Sequence, residues 1–366
     1  MAKLLDQYGN PIDTTRLGQE ESGPTLGGVR QIIGGHPADG LTPVRLARLL
    51  REAEQGDATA YLELAEQMEE KDLHYRSVLA TRKYQVAALP VTVEAASDDE
   101  TDVQAADLVR RVLGRQSLTL ELFNVLDALG KGYSVSEIIW ELVSGTWTPT
   151  RLEWRFPQWF TFDQRDGRTP LLRDMGAGTT GFGLPLKPAG YLFHTHLSKS
   201  GLPIRGGLAR PVAWFYLFKS FGIRSWVEFS EVYGRPIRLG KYRPGASQQD
   251  KEILLRAVRS LMADAAAIIP DSMVIELIEA KVTGNVDLHQ RLCDWMDRQV
   301  SKAVLGQTGT TDVGQHTGTA NAHERVREDI EDADALQLSC TLTTQLAEPL
   351  VKLTFGERPV YPIVRL

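Results

Sequence analysis

Between residues 41 and 87 the apolar positions recur every three or four residues, the spacing of helices that bury one face. Thr42 followed by Pro43 reads as an N-cap and a first helical residue, with Val44, Leu46, Leu49 and Leu50 forming the face. Asp57 reads as the cap of a second helix carrying Tyr61, Leu62, Leu64 and Met68. A third runs over 72–87 with Leu73, Val78, Leu79 and Tyr84, and Pro90 ends it. Val91, Val93 and Ala95 alternate with polar residues as a strand does, 97–100 is a surface turn, and 102–113 and 118–129 predict two more helices.

After Gly132 the period drops to two. Residues 133–142, 145–154 and 159–162 predict strands, Asp166-Gly167 a hairpin turn, 176–183 a glycine-rich loop, and 191–194 a short strand. Residues 208–233 return to helix, with Trp214, Phe215, Tyr216, Phe218, Phe221, Trp226 and Phe229 around most of its circumference. Such a helix needs cover on several sides, which favours a subunit interface over a central core position. A strand at 236–241, a helix at 248–267 and a strand at 273–278 make a small α/β insertion.

A second long helix spans 287–305, roughly 28 Å at ~1.5 Å per residue. Leu288, Leu292, Trp295, Val300 and Val304 hold one face; Arg291, Asp294, Asp297, Arg298 and Lys302 largely fill the other. Residues 306–319 hold glycines, threonines and a single apolar residue, too little to form a packed element. A helix over 322–353 follows. Residues 1–40 read as an extended arm, draped over a neighbouring subunit or disordered. The fold class is α+β, mainly helical.

The 366 residues suggest two or three domains, and the net charge of −6 argues against tight DNA gripping, which needs Lys and Arg to displace counterions from phosphates. A conduit past which DNA slides fits the balance. Cys293 and Cys340 form neither a disulfide framework nor a zinc site and read as small hydrophobes in helices. There is no signal-peptide core, and the longest near-apolar run, 211–218, is far below the ~20 residues of a membrane span. The expectation is a soluble chain outside any membrane.

Candidate chemistries fall short on spacing. Gly130-Lys131-Gly132-Tyr133-Ser134 lacks the phosphate-loop pattern and precedes a strand instead of a helix. Gly132-Tyr133-Ser134-Val135-Ser136 lacks the last glycine of a nucleophile elbow. In His323-Glu324-Arg325-Val326-Arg327 an arginine replaces the second zinc-ligating histidine. His194 and His196 could share one side of a strand but have no third ligand nearby and read as surface histidines; Asp98-Asp99 and Asp163/Asp166 read as solvated turns. No catalytic residue, metal or cofactor is expected. The rivals are a metal-dependent nuclease of a mobile element, which lacks a carboxylate cluster, and a monomeric DNA-binding adaptor.

Four blocks carry a resemblance that no single motif does: residues 70–83, from Glu70-Lys71-Asp72 to Thr81-Arg82-Lys83; 132–141, Gly132-Tyr133 to Trp140-Glu141; 229–242, with Tyr233-Gly234-Arg235-Pro236 and Gly240-Lys241-Tyr242; and 301–308, Ser301-Lys302 to Gln307-Thr308. With the opening at 41–64, the chain resembles, in order and over nearly its whole length, the Mu-like portal proteins of tailed phages.

The resemblance implies a ring, typically of twelve subunits, at one capsid vertex of the virion, assembled in the host cytoplasm. Its partners would be double-stranded DNA, the terminase, the head–tail connector, and the major capsid and scaffold proteins. It implies an arm at 1–40, a wing at 41–205, stem helices at 206–232 and 286–305, a clip at 233–285, a tunnel loop at 306–320, and at 321–366 a wing helix leading to a short or truncated crown. Gln307, Thr308, Thr310, Thr311 and His316, with Arg291, Arg298 and Lys302, would face the DNA channel. Arg235, Arg238, Lys241 and Arg243 would meet partners at the clip. Trp214, Phe218, Phe221, Trp226, Phe229 and Trp295 would pack between subunits.

Overall fold

The computed structural model describes residues 14–25, 30, 34–173, 183–233, 237–260, 273–278, 287–308 and 317–366. The chain divides into two compact units, Met1–Leu217 with Asp297–Leu366, and Phe218–Met296, so the division cuts across both long helices instead of falling at their ends.

In the first unit, α1 (Pro43–Glu54) starts as expected: Thr42 accepts a hydrogen bond from the Arg45 amide. α2 (Thr59–Lys71) begins one residue later than its sequence cap implies. Ala58 is the cap residue, and Asp57 accepts from the Thr59 amide at 3.3 Å and hydroxyl at 2.8 Å. α3 (Leu73–Ala87) is capped by Asp72, which accepts from the His74 and Tyr75 amides at 3.0 Å each. Leu46, Leu50, Tyr61, Leu62, Leu64, Met68, Tyr75, Val78 and Leu79 make the shared core. Val44 and Leu73, expected on apolar faces, are exposed, Leu73 by 83%. Both stand in the first turn of a helix, where the side chain leans back past the helix end and beyond its packing partners. Tyr84 is also exposed, with its ring 4.5 Å from Phe123.

After β1 (Thr92–Glu94) come α4 (Glu100–Leu113), α5 (Leu118–Val125) and α6 (Ala128–Lys131), the last two replacing the single helix expected over 118–129. β2 (Tyr133–Val143) and β3 (Thr146–Arg155) form an antiparallel hairpin with a register shift at Ile139/Trp140. β4 (Phe160–Phe162), β5 (Pro170–Leu172) and β6 (Leu184–Pro185) form a second antiparallel sheet. Its first turn holds Gly167 at φ +65°, and Asp166 accepts from the Arg168 and Thr169 amides. β7 (Tyr191–Thr195) pairs with β2, giving the order β3-β2-β7. β2 is therefore central, and its first eight residues are all buried.

α7 (Ala209–Tyr233) leads into the second unit, which holds β8 (Ile237–Tyr242), α8 (Gln248–Ser260), β9 (Met273–Ile278) and the first half of α9 (Leu288–Leu305). α8 opens on a reciprocal cap: Ser247 Oγ accepts from the Asp250 amide, and Asp250 accepts from the Ser247 amide. The end expected for this helix, 261–267, lies outside the described residues. Gly240 on β8 lets α8 approach closely, since a Cβ there would lie 3.0 Å from Leu254.

The first unit resumes at Asp297 within α9 and continues through α10 (Thr317–Leu342), a π-helical turn (Thr343–Ala347), α11 (Glu348–Phe355) and β10 (Ile363–Arg365), which pairs antiparallel with β1. The single helix expected over 322–353 is interrupted because Pro349 has no amide proton to give the Gln345 carbonyl. Cys293 is buried as a small hydrophobe should be, whereas Cys340 is exposed.

Candidate functional site

The motifs that hint at chemistry turn out to be structural. Lys131 is buried and donates to Asp127 and Glu66, and Lys83 donates to Asp127 at 3.1 Å. Burial pushes the Asp127 carboxyl up, but Lys131 and Lys83 overcome this and hold it down at about 2. Lys131 is thus unavailable to a phosphate. Gly132 has φ +97°, and a Cβ on it would lie 2.3 Å from the Pro203 carbonyl oxygen, so this glycine serves a close chain crossing. Ser134 Oγ donates to the Val125 carbonyl, and Ser136 is buried on β2 with no hydrogen-bond partner among the described residues.

His194 and His196, expected at the surface, are buried. α10 covers β7, and the alternation of a strand cannot reveal which element will lie over it. His194 Nδ1 is 2.9 Å from Thr341 Oγ1, and His196 Nδ1 is 3.7 Å from Asp334. Burial, with His196 adding to it, pushes His194 down to about 3; burial also takes His196 down to about 4, against the pull of Asp334. Glu324 pairs with Arg327 on the α10 surface. Among the described residues no group of His, Cys, Asp or Glu could hold a metal ion, and no helix is long and apolar enough to cross a membrane.

The second unit leaves apolar side chains uncovered on its long helices. On α7, Phe221 is 42% and Ile223 44% exposed, and Phe218 and Val227 are exposed as well. Trp226 and Phe229 are half-buried, Phe229 lying 5.6 Å from the His289 ring. Gly222 faces α9, close to Leu292 and Cys293. Residues two apart on a helix differ by about 200°, so Phe221 and Ile223 point to nearly opposite flanks. On α9, Leu288, Leu292 and Trp295 form a second partly exposed apolar stripe, Trp295 being 51% exposed. In the first unit Trp214 is half-buried against the core.

Of the basic residues expected to line a channel, Arg291 is exposed beside Asp287 at 3.4 Å, and Arg298 and Lys302 are exposed. Gln307 is buried and Thr308 half-buried. Thr310, Thr311 and His316 lie outside the described residues, as does Arg235; for Arg238 only the backbone is described, paired with Leu277. Lys241 and Arg243 are exposed, and Lys251 lies over the Tyr242 ring at 5.1 Å.

Two arrangements were not legible in the sequence. First, the segment 14–25 of the arm is anchored. Leu17 is buried in the core, and fully buried Glu137 on β2 accepts from the Glu21 amide at 2.5 Å, the Ser22 amide at 3.2 Å and the Ser22 hydroxyl at 2.7 Å. Arg155 donates to Glu137 at 3.1 Å, and Lys187 donates to the carbonyls of Arg16 and Gln19. Secondly, α3 binds the end of α9. His74 Nε2 lies 2.7 Å from Ser301 Oγ, and Arg82 donates to the Val304 carbonyl at 2.6 Å and to both oxygens of Asp334 at 2.6 and 2.9 Å. The blocks 70–83 and 301–308 thus meet in space.

The family model described as the portal protein of Mu bacteriophage matches residues 62–366. The Mu-like prophage FluMu protein gp29 of Haemophilus influenzae is 37% identical over 360 residues, which cover 96% of this chain and 68% of that protein. The portal protein of Escherichia phage Mu is 34% identical over 357 residues, covering 96% and 69%. Among solved structures, a chain from the neck of an empty gene transfer agent particle, computed with C6 symmetry, has a TM-score of 0.52 at 12% identity, covering 91% of this chain and 86% of that one. A chain from the neck of the native particle, computed with C12 symmetry, has a TM-score of 0.51. These last two likenesses establish a shared fold.

Proposed function

The chain belongs to the family of Mu bacteriophage portal proteins, and from that premise we propose that its copies close into a ring at the capsid vertex through which double-stranded DNA enters and leaves the head. The conduit has no catalysis of its own. The terminase docks on it during packaging and the head–tail connector afterwards, while capsid and scaffold proteins surround it during assembly in the host cytoplasm. The C6 and C12 symmetries with which the gene transfer agent necks were computed support a closed ring, which we take to hold twelve copies.

The observation that carries this reading is the uncovered apolar surface on α7. A side chain of that size contributes about 1.5–3 kcal/mol when fully taken out of water, so several left out on one small unit mark a surface that a partner covers. Phe221 and Ile223 face nearly opposite flanks, as a subunit with a neighbour on each side requires. Different patches meeting head to tail close into a ring when the rotation permits. In this arrangement α7 and α9 form the stem, the β8–α8–β9 region the clip with Lys241 and Arg243, and residues 306–320 the part next to DNA. The mild acidity of the chain suits passage, since few phosphates are held tightly.

Cysteines placed at 221 and 223 test the reading. Oxidation of assembled rings is expected to give a covalent ladder rising to the full ring. Cross-linking confined to dimers would contradict contacts on two flanks.

A further inference from the structure

The first unit carries two exposed features that its own fold leaves unused: a row of side chains along α3, and the tip of the β2–β3 hairpin. We propose that the hairpin tip of one copy docks on the α3 row of the next copy in the ring, with Glu141 of the one paired to Arg76 of the other. This rests on the portal reading, since it needs a ring.

Leu73, Ser77, Ala80 and Tyr84 follow one another at intervals of four, three and four residues, so they form one stripe about 16 Å long on α3. Leu73 and Tyr84 are exposed and Ala80 is half-buried. Tyr84 widens the stripe by meeting Phe123 on α5, where Leu120, one turn earlier, is exposed as well. Among the described residues Arg76 is the one exposed charge on α3. It flanks the stripe one turn before Ala80, and its side chain has no hydrogen-bond or ion-pair partner among the described residues. Interface cores are poor in charge and rich in aromatic residues, as this face is.

β2 is buried from Tyr133 to Trp140 and exposed from Glu141 through the turn, so the hairpin tip projects from the unit. Ser144 and Gly145 have φ +50° and +79°, the two-residue turn that matches the twist of its strands and holds the tip in shape. Leu142 and Val143 are exposed there, and the Glu141 side chain, like that of Arg76, has no partner among the described residues. Glu141 and Val143 share one face of the strand and stand about 7 Å apart. Arg76 and Ala80, one helical turn apart, are separated by about 6 Å. The two spacings match, so Val143 can sit at Ala80 while Glu141 reaches Arg76. An anion then meets a cation, and an aliphatic tip meets a stripe that carries no other charge. The tip and the stripe are different surfaces, so the contact runs head to tail, as closure of a ring requires.

The full chain carrying C340S, which removes the exposed native cysteine, is made with A80C, with V143C and with both, assembled into rings and oxidised. The variant with both is expected to give a covalent ladder rising to the full ring, and each single variant no cross-link. Charge reversal reads the ion pair. R76E and E141R should each raise the protein concentration needed for half-assembly at least three-fold, with the protomer's unfolding midpoint unchanged because both positions are exposed. R76E/E141R should bring assembly back towards wild type. Rings that form without the A80C–V143C cross-link, a ladder that stops at dimers, or a double reversal no better than either single one would overturn the proposal while leaving the portal reading intact. Failure of the wild-type chain to form rings would overturn the portal reading and this contact with it.

Discussion

Ser22 and Glu137 are 115 positions apart and joined twice, by the Ser22 hydroxyl at 2.7 Å and its amide at 3.2 Å. Glu137 is a fully buried carboxylate, and the arm supplies much of what satisfies it. Removing one partner of a buried ionic group costs about 3–5 kcal/mol because the others are left uncompensated. Glu137→Ala therefore loses stability of that order: it removes the buried carboxylate from beside Arg155, which keeps only Glu20 at 3.0 Å among the described residues, and from beside Lys187 at 3.9 Å, and it takes away the acceptor of the Glu21 and Ser22 amides, which loosens the arm. Trypsin is expected to cut after Arg16 much faster in this variant than in wild type. Equal cutting rates would show that the arm is held by something else.

The buried histidines give the protein an acid sensitivity of defined range. His194 and His196 titrate near 3 and 4 when folded and near 6.5 when unfolded. Above pH 6.5 both states are neutral and nothing is gained or lost. Below it the unfolded chain binds protons that the folded one refuses. Stability then falls by about 1.4 kcal/mol per pH unit for each histidine until the folded values are reached. Asp127 loses its ionic contribution only between its ordinary value of 3.8 and about 2, below most of this window. The midpoint of urea unfolding should drop from pH 6.5 to 4.5, and H194Q/H196Q should flatten the drop. A flat wild-type profile over that range would refute the assignment of these histidines as neutral and buried.

Gly132 is the tightest test of the chain crossing between α6 and β2. Alanine there combines a left-handed backbone with a Cβ 2.3 Å from the Pro203 oxygen and 3.0 Å from the Gly207 nitrogen. The expected loss is about 2–4 kcal/mol, from backbone strain together with displacement of the 203–207 turn. A variant as stable as wild type would mean that the crossing is looser than described.

The uncovered stem residues should behave in the opposite way. Phe221→Asp and Ile223→Asp change exposed positions, so each protomer should keep its stability within about 0.5 kcal/mol. Assembly should fail. Sedimentation separates the two properties, and a variant that assembles normally would remove that residue from the interface.

Much of this architecture is local and was legible. Thr42-Pro43 starts a helix, Asp166-Gly167 turns a hairpin, and the long aromatic helix and its polar-faced companion stand where their spacing puts them. What escaped depends on contacts distant in sequence. His194 and His196 are polar and on a short strand, yet α10 covers them. Gln307 belongs to a polar stretch and is nevertheless buried. Leu73 is apolar at the right helical spacing and stays exposed, because in the first turn its side chain leans back past the start of its helix. Arg82 lies on the buried side of a helix whose local pattern gives no hint that Asp334, 252 positions on, will meet it. In each case the partner is set by topology, and a charge or an imidazole becomes buried only because its complement arrives from elsewhere in the chain.

The central claim is assembly into a channel, and the mass of the purified protein in solution, followed by images of any large species, tests it most directly. The account predicts closed rings with a central hole wide enough for a duplex, formed alone or on addition of capsid and scaffold proteins. A chain that stays a monomer at every concentration and also forms no ring with those partners would contradict it.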